Sequence, residues 1–171
     1  MLNVNWVVIV LVLSAFIGGC GDDWTPADGE GVSSTRTVWD VSQGEGELSH
    51  WLEAARAAGL EEILAGPGPI TVFAPTNDAF EAWQAAQGDG KFDASLAGHA
   101  VLKPLVDNHL MDGRVSGEQL FRRNRLLTWG GEVNVEILSD RATVGGAMVS
   151  AINLEASNGV IHIVESVVVA P

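Results

Sequence analysis

The chain has no tyrosine, a single cysteine, and only nine lysines and arginines among 171 residues, against 22 aspartates and glutamates. Each shortage removes a class of function. One cysteine, Cys20, rules out an intrachain disulfide and supplies a redox or metal site poorly. A formal net charge of −13 is unsuited to nucleic acid, which is bound by Lys and Arg displacing phosphate counterions. The same charge repels anionic lipid headgroups and favours solubility. Catalytic and phosphate-binding patterns are missing too: there is no Gly-x-Ser-x-Gly elbow, no His-Glu-x-x-His and no phosphate loop. Gly44 and Gly46 lie beside Glu45 and Glu47, which would repel phosphate. The acidic cluster after Cys20 lacks the Asp spacing and downstream Glu of a calcium loop. The reading is therefore non-enzymatic, with no cofactor and no metal.

A long apolar run is also lacking. The stretch around Trp6 to Phe16 is strongly apolar over about 14 residues, short of the roughly 20 that a spanning helix needs. Small residues follow it, Ile17-Gly18-Gly19, ahead of Cys20. That is an apolar core with a small-residue cleavage site, and it resembles the bacterial lipobox, in which the cysteine is lipidated and becomes the mature N-terminus. Met1 to Asn5 carries no Lys or Arg, and an uncleaved membrane anchor is the alternative. Residues 1–19 are thus expected to be a lipoprotein-type signal peptide. Residues 20–35, rich in Asp, Gly and Ser, form an acidic flexible tether from lipidated Cys20. The lipid bilayer is then a partner through this anchor, at an outer membrane, periplasmic face or cell surface. Gly21 in place of Asp leans toward the outer membrane.

Residues 36–171 read as one domain. Ser49 has the chemistry of an N-cap, and Leu52, Ala55 and Ala58 follow at helical spacing up to Gly59. Leu60 to Leu64 is a second short helix and Gly66-Pro67-Gly68-Pro69 a turn. Ile70 to Phe73 is a strand that turns through Pro75 into a helix capped by Thr76 or Asn77, with Asp78 at its positive end. Leu96 to Leu110 is expected to be helical with a break at Pro104 and a stop at Gly113. Leu126 to Trp129, Val133 to Ile137, Ala142 to Val144, Met148-Val149 and Ala151-Ile152 read as strands. Asn158-Gly159 is a turn signal, because both residues tolerate positive φ. Seven of the ten residues from Val160 to Val169 are Val or Ile, so the closing strand buries both faces. Helices early and most strands late give the α+β class.

Two segments resemble the signatures of the fasciclin-like domain family. Thr71 to Phe80, with Phe73, Pro75, Thr76, Asn77 and Asp78, is similar to its opening signature. Asn158 to Pro171, with Gly159 and His162, is similar to its closing one. The resemblance implies a wedge of two small β-sheets with helices packed along one side. It also implies a non-enzymatic extracellular module for adhesion or for binding proteins or glycans. Asn108-His109 resembles the family's Tyr-His motif at the end of a central helix. With asparagine at the tyrosine position, integrin binding is not carried over, and His109 is left with a structural role against a neighbouring loop.

Among the other histidines, His50 and His99 are read as surface residues and His162 as a satisfied core or rim residue. Arg122, Arg123 and Arg125 form the only basic cluster, a solvated loop or a contact for an anion or glycan. Trp39, Trp51, Trp83 and Trp129 are read as mostly core, with room for one to be partly exposed as an interface anchor. The function expected is a membrane-tethered extracytoplasmic binding or adhesion module for an unidentified protein or glycan, with weak self-association through many copies. The alternatives are an envelope scaffold holding a membrane complex and a carrier of a small apolar ligand.

Overall fold

The computed structural model describes residues 35–87, 99–138 and 141–168. The segment expected to be a signal peptide, Cys20 and nearly all of the expected tether lie outside the described residues. No helix among the described residues is long and apolar enough to cross a membrane.

The described chain opens with α1 (Val38–Gly44), where Thr37 and Asp40 form a reciprocal capping box. That Thr-x-x-Asp pattern preceded a helix that sequence reading left unassigned. A short 3₁₀ turn (Gly46–Leu48) leads into α2 (Ser49–Ala57). Ser49 is the first residue of α2, not its cap, and its hydroxyl instead donates to Asn77 Oδ1 at 3.1 Å. Next come α3 (Glu61–Leu64), β1 (Ile70–Pro75) and α4 (Asn77–Gln87). After them stand α5 (His99–Asp107), β2 (Leu110–Asp112), α6 (Gly117–Leu120) and β3 (Arg125–Thr128). The chain then runs through β4 (Gly131–Leu138), β5 (Arg141–Val144), β6 (Ala147–Ala156) and β7 (Gly159–Val164).

Pro104 sits inside α5 without ending it. A proline there costs one backbone hydrogen bond, and the buried Leu102, Leu105 and Val106 hold the helix onto the core. The helix stops at Asp107, so Leu110 belongs to β2 and not to the helix expected to include it. The two short strands read around Met148 and Ile152 are one ten-residue strand, β6. Its register shifts between Val149 and Ala151 and again before Leu154. Those bulges interrupt the alternation that a sequence scan relies on.

The strands form one ladder in the order β2-β1-β7-β6-β5-β4-β3, with β1 and β7 parallel and the other pairings antiparallel. The ladder nearly closes: Trp129 N, just past β3, donates to Leu110 O of β2 at 2.8 Å. Two apolar clusters lie on its two faces. Ile70, Val72 and Ala74 of β1 with Ile161 and Ile163 of β7 pack against Trp39, Trp51, Leu64 and Leu102 of the helices. Phe73 of β1 and Val164 of β7 join Val133, Val135, Val144 and Val149 inside the curled sheet. Both central strands are buried along their whole length, as expected for strands covered on both faces. The class is α+β, with helices along one side of a mixed and nearly closed sheet.

Candidate functional site

The signature residues are internal ties. Thr71 is buried; its hydroxyl donates to Gly113 O at 2.7 Å and accepts from Val115 N at 2.9 Å, so one side chain clamps both ends of the turn after β2. Phe73 and Phe80 are fully buried, and Pro75 pairs with Val164 at the end of the parallel ladder. Thr76 Oγ1 accepts from Ala79 N at 3.3 Å and so caps α4. Asn77 reaches to another helix instead. Its Oδ1 accepts from His50 N at 2.9 Å in the first turn of α2, and its Nδ2 donates to Gly46 O at 3.1 Å. Asp78 is exposed in the first turn of α4. Asn158 is buried: Oδ1 accepts from Val38 N at 2.7 Å, and Nδ2 donates to Leu64 O at 2.9 Å and Gly66 O at 2.6 Å.

Neither residue of Asn158-Gly159 takes the positive φ on which the turn was predicted; Asn153, at φ 61°, does. Asn158 is held by its side-chain bonds. Gly159 is required by space, since a Cβ there would lie 2.1 Å from Ile70 O.

Both signature histidines are buried. His109 Nδ1 donates to Leu105 O at 2.8 Å, and Nε2 accepts from Val168 N at 2.9 Å. His109 O accepts from Phe73 N at 2.9 Å, and the ring lies 5.7 Å from that of Trp51. Burial pushes its pKa down to about 4. His162 stacks on Phe73 at 5.4 Å, donates from Nε2 to Val115 O at 2.8 Å and accepts at Nδ1 from Asn153 N at 3.3 Å. Burial lowers its pKa as well. In each ring one nitrogen donates and the other accepts, so each is held neutral with both positions engaged inside the fold.

Asn108 is half-buried next to the β3–β4 turn, where a Cβ on Gly130 would lie 1.9 Å from Asn108 Oδ1. The basic cluster follows α6. Arg122 pairs with Glu118 at 2.6 Å and Arg125 with Glu132 at 2.8 Å, which leaves Arg123 without a side-chain partner among the described residues. Two of the three guanidinium groups are therefore already neutralised by carboxylates of the same chain.

Two surface clefts stand out. One, of about 560 Å³, is lined by Gly46, Glu47, Thr76, Asn77, Asp78, Ser150 and Glu165. Its charged groups are all carboxylates. Among the described residues, no group of His, Cys, Asp and Glu is arranged to hold a metal ion. The other, of about 430 Å³, is bounded by the α3–β1 connection and by Trp129. Ile63, 46% exposed, and Trp129, 36% exposed, lie along it with Pro67 and Pro69. Trp39 and Trp51 are core and Trp83 is half-buried. Sequence reading allowed for one exposed tryptophan without choosing among the four. The available cue was position: Trp129 stands at a strand end, directly before the Gly130-Gly131 turn.

Comparison with known proteins gives a consistent result. The model of the fasciclin domain matches residues 46–170. The protein sll1483 of Synechocystis sp. (strain ATCC 27184 / PCC 6803 / Kazusa) is 31% identical over 142 residues, which is 82% of this chain and 77% of that one. Stabilin-1 of Mus musculus is 31% identical over 144 residues, 81% of this chain but 5% of stabilin-1. Among solved structures, a FAS1 domain pair from the insect cell adhesion molecule fasciclin I superposes with a TM-score of 0.66 at 16% identity. The match covers 80% of this chain and 52% of that one.

Proposed function

The chain belongs to the fasciclin domain family, and on that footing we propose that it is a non-catalytic, membrane-tethered extracytoplasmic module that binds protein or glycan partners. The observation that carries the reading is the use made of the signature residues. Thr71, Asn77, His109, Asn158 and His162 all direct their polar atoms inward to backbone groups. A scaffold held rigid in this way presents its outer surface as the working part, as loops and exposed patches do on other rigid domains. Description of the matched insect structure as a cell adhesion molecule agrees with this.

The tether follows from Ile17-Gly18-Gly19-Cys20. An acyl chain on Cys20 and an acidic spacer would hold the domain near a bilayer and let weak contacts sum by multivalency. In membrane fractionation, Cys20→Ala is expected to move the protein out of the membrane pellet; unchanged sedimentation would assign attachment to an uncleaved apolar segment. For the binding function, full chain in detergent is immobilised and exposed to solubilised envelope proteins and purified surface glycans. Saturable capture is the expected result, and no capture of any kind overturns the reading. Ile63 and Trp129, exposed along one groove, favour a second reading as an envelope scaffold with one fixed protein interface.

A further inference from the structure

We propose that the groove between the α3–β1 connection and Trp129 binds an extended segment of a partner protein that presents an arginine among apolar residues. The inference rests on the binding-module reading and specifies its working face. The groove is lined by Ile63, Pro67, Pro69, Ile70 and Trp129, with Glu62 and Asp112 as its only charged groups.

Trp129 is already oriented. Its Nε1–H donates to Asp112 Oδ1 at 3.0 Å, so the polar handle of the indole is satisfied within the chain. The ring is fixed before any ligand arrives, and pre-ordering of this kind lowers the entropy cost of binding. The floor is fixed as well, because Asn158 donates to Leu64 O and Gly66 O beneath the connection. Ile63 and the two prolines line the same groove as the ring with exposed apolar surface. A rigid tryptophan in an apolar setting is the usual composition of an interface hot spot.

Charge chooses the occupant. Glu61, the neighbour of Glu62, is paired with Arg56 at 3.0 Å, whereas no cation is paired with Glu62 among the described residues. No lysine or arginine lines the groove, and the chain as a whole carries −13. A guanidinium can lie over an indole face while meeting a carboxylate, and Glu62 and Trp129 border the same space. An acidic segment or an anionic glycan would meet only like charge.

The test uses the full chain in detergent and short fluorescein-labelled peptides of one leucine–proline frame, with arginine, glutamine or glutamate at the centre. Fluorescence anisotropy is expected to show the arginine peptide binding best, with affinity falling as salt rises. Glu62→Lys and Trp129→Ala are each expected to weaken it about tenfold, and the triple change of Arg122, Arg123 and Arg125 to Ala to leave it unchanged. Glu62 is an exposed position on α3, so its variant keeps the test decisive should Trp129→Ala misfold. Equal affinity for all three peptides, or no binding, overturns the proposal. Self-association of the chain that is lost with the arginine triple variant also overturns it, by making a second copy the occupant. The capture experiment separates the two claims: envelope or glycan capture that survives Glu62→Lys ends the groove proposal alone, while absence of capture by the parent chain ends the module reading.

Discussion

His109 shows how a residue that invites a catalytic interpretation is used to hold the chain together. With Nδ1–H committed to Leu105 O and Nε2 accepting from Val168 N, a second proton would bring a donor against a donor. Its pKa is about 4 in the fold against an ordinary 6.5. The stability it supplies is therefore complete above pH 6.5 and falls as pH drops toward 4, because the unfolded chain takes up the proton first. The loss from this group by pH 4 is about 3 kcal/mol, and His162, shifted the same way by burial, adds to it. Urea midpoints measured from pH 7.5 to 4.5 should fall less steeply for His109→Gln than for the parent; parallel slopes would show that another group sets the acid limit. Sequence alone placed His109 at the end of a helix, but the donor to its Nε2, Val168 N, lies 59 residues away. No local pattern encodes that pairing.

At the scale of elements, the sequence was most legible where one segment is self-sufficient. The β1-to-α4 unit follows from an apolar run, Pro75 and the Thr76 cap, all inside Ile70 to Phe80. It was least legible where a distant side chain completes an element. The first turn of α2 is capped by Asn77 across the interface with α4, and the bulges of β6 disguise one strand as two. The Asn158-Gly159 corner was found, but for a reason the structure replaces, since contacts with β1 and α1 and not positive φ select these residues. Asn158→Ala leaves Val38 N, Leu64 O and Gly66 O without the side-chain partner each now has and is expected to cost about 3 kcal/mol. Amide exchange should then accelerate at Val38 while the β4–β5 hairpin keeps its protection. Uniform acceleration across the chain would mean that the corner is not a local tie. Gly159→Ala is expected to be worse still, because Ile70 O is backbone and cannot rotate away.

For the molecule as a whole, the fold class and the family were readable from the two signature segments, because these form the central strands. The exposed tryptophan was not, because exposure depends on how α3 and β3 are placed and neither contains that information. Residues 167 and 168 lie beyond β7 yet are buried. A stop after Ser166 is thus expected to cost about 4 kcal/mol by removing two valine side chains from the core and the donor to His109. An unchanged urea midpoint would contradict that account. The parallel pairing of β1 with β7 carries a consequence for synthesis. Ile70 meets Gly159, roughly ninety residues on, and loop closure over such a span precedes any gain from the contact. A nascent chain that has emerged only as far as β6 holds one of the two central strands, with only the short β2 to lay along one edge of it and nothing for the other. Such a chain stays pliable until β7 has been made, the condition in which a polypeptide can be threaded through a narrow pore before it folds on the far side.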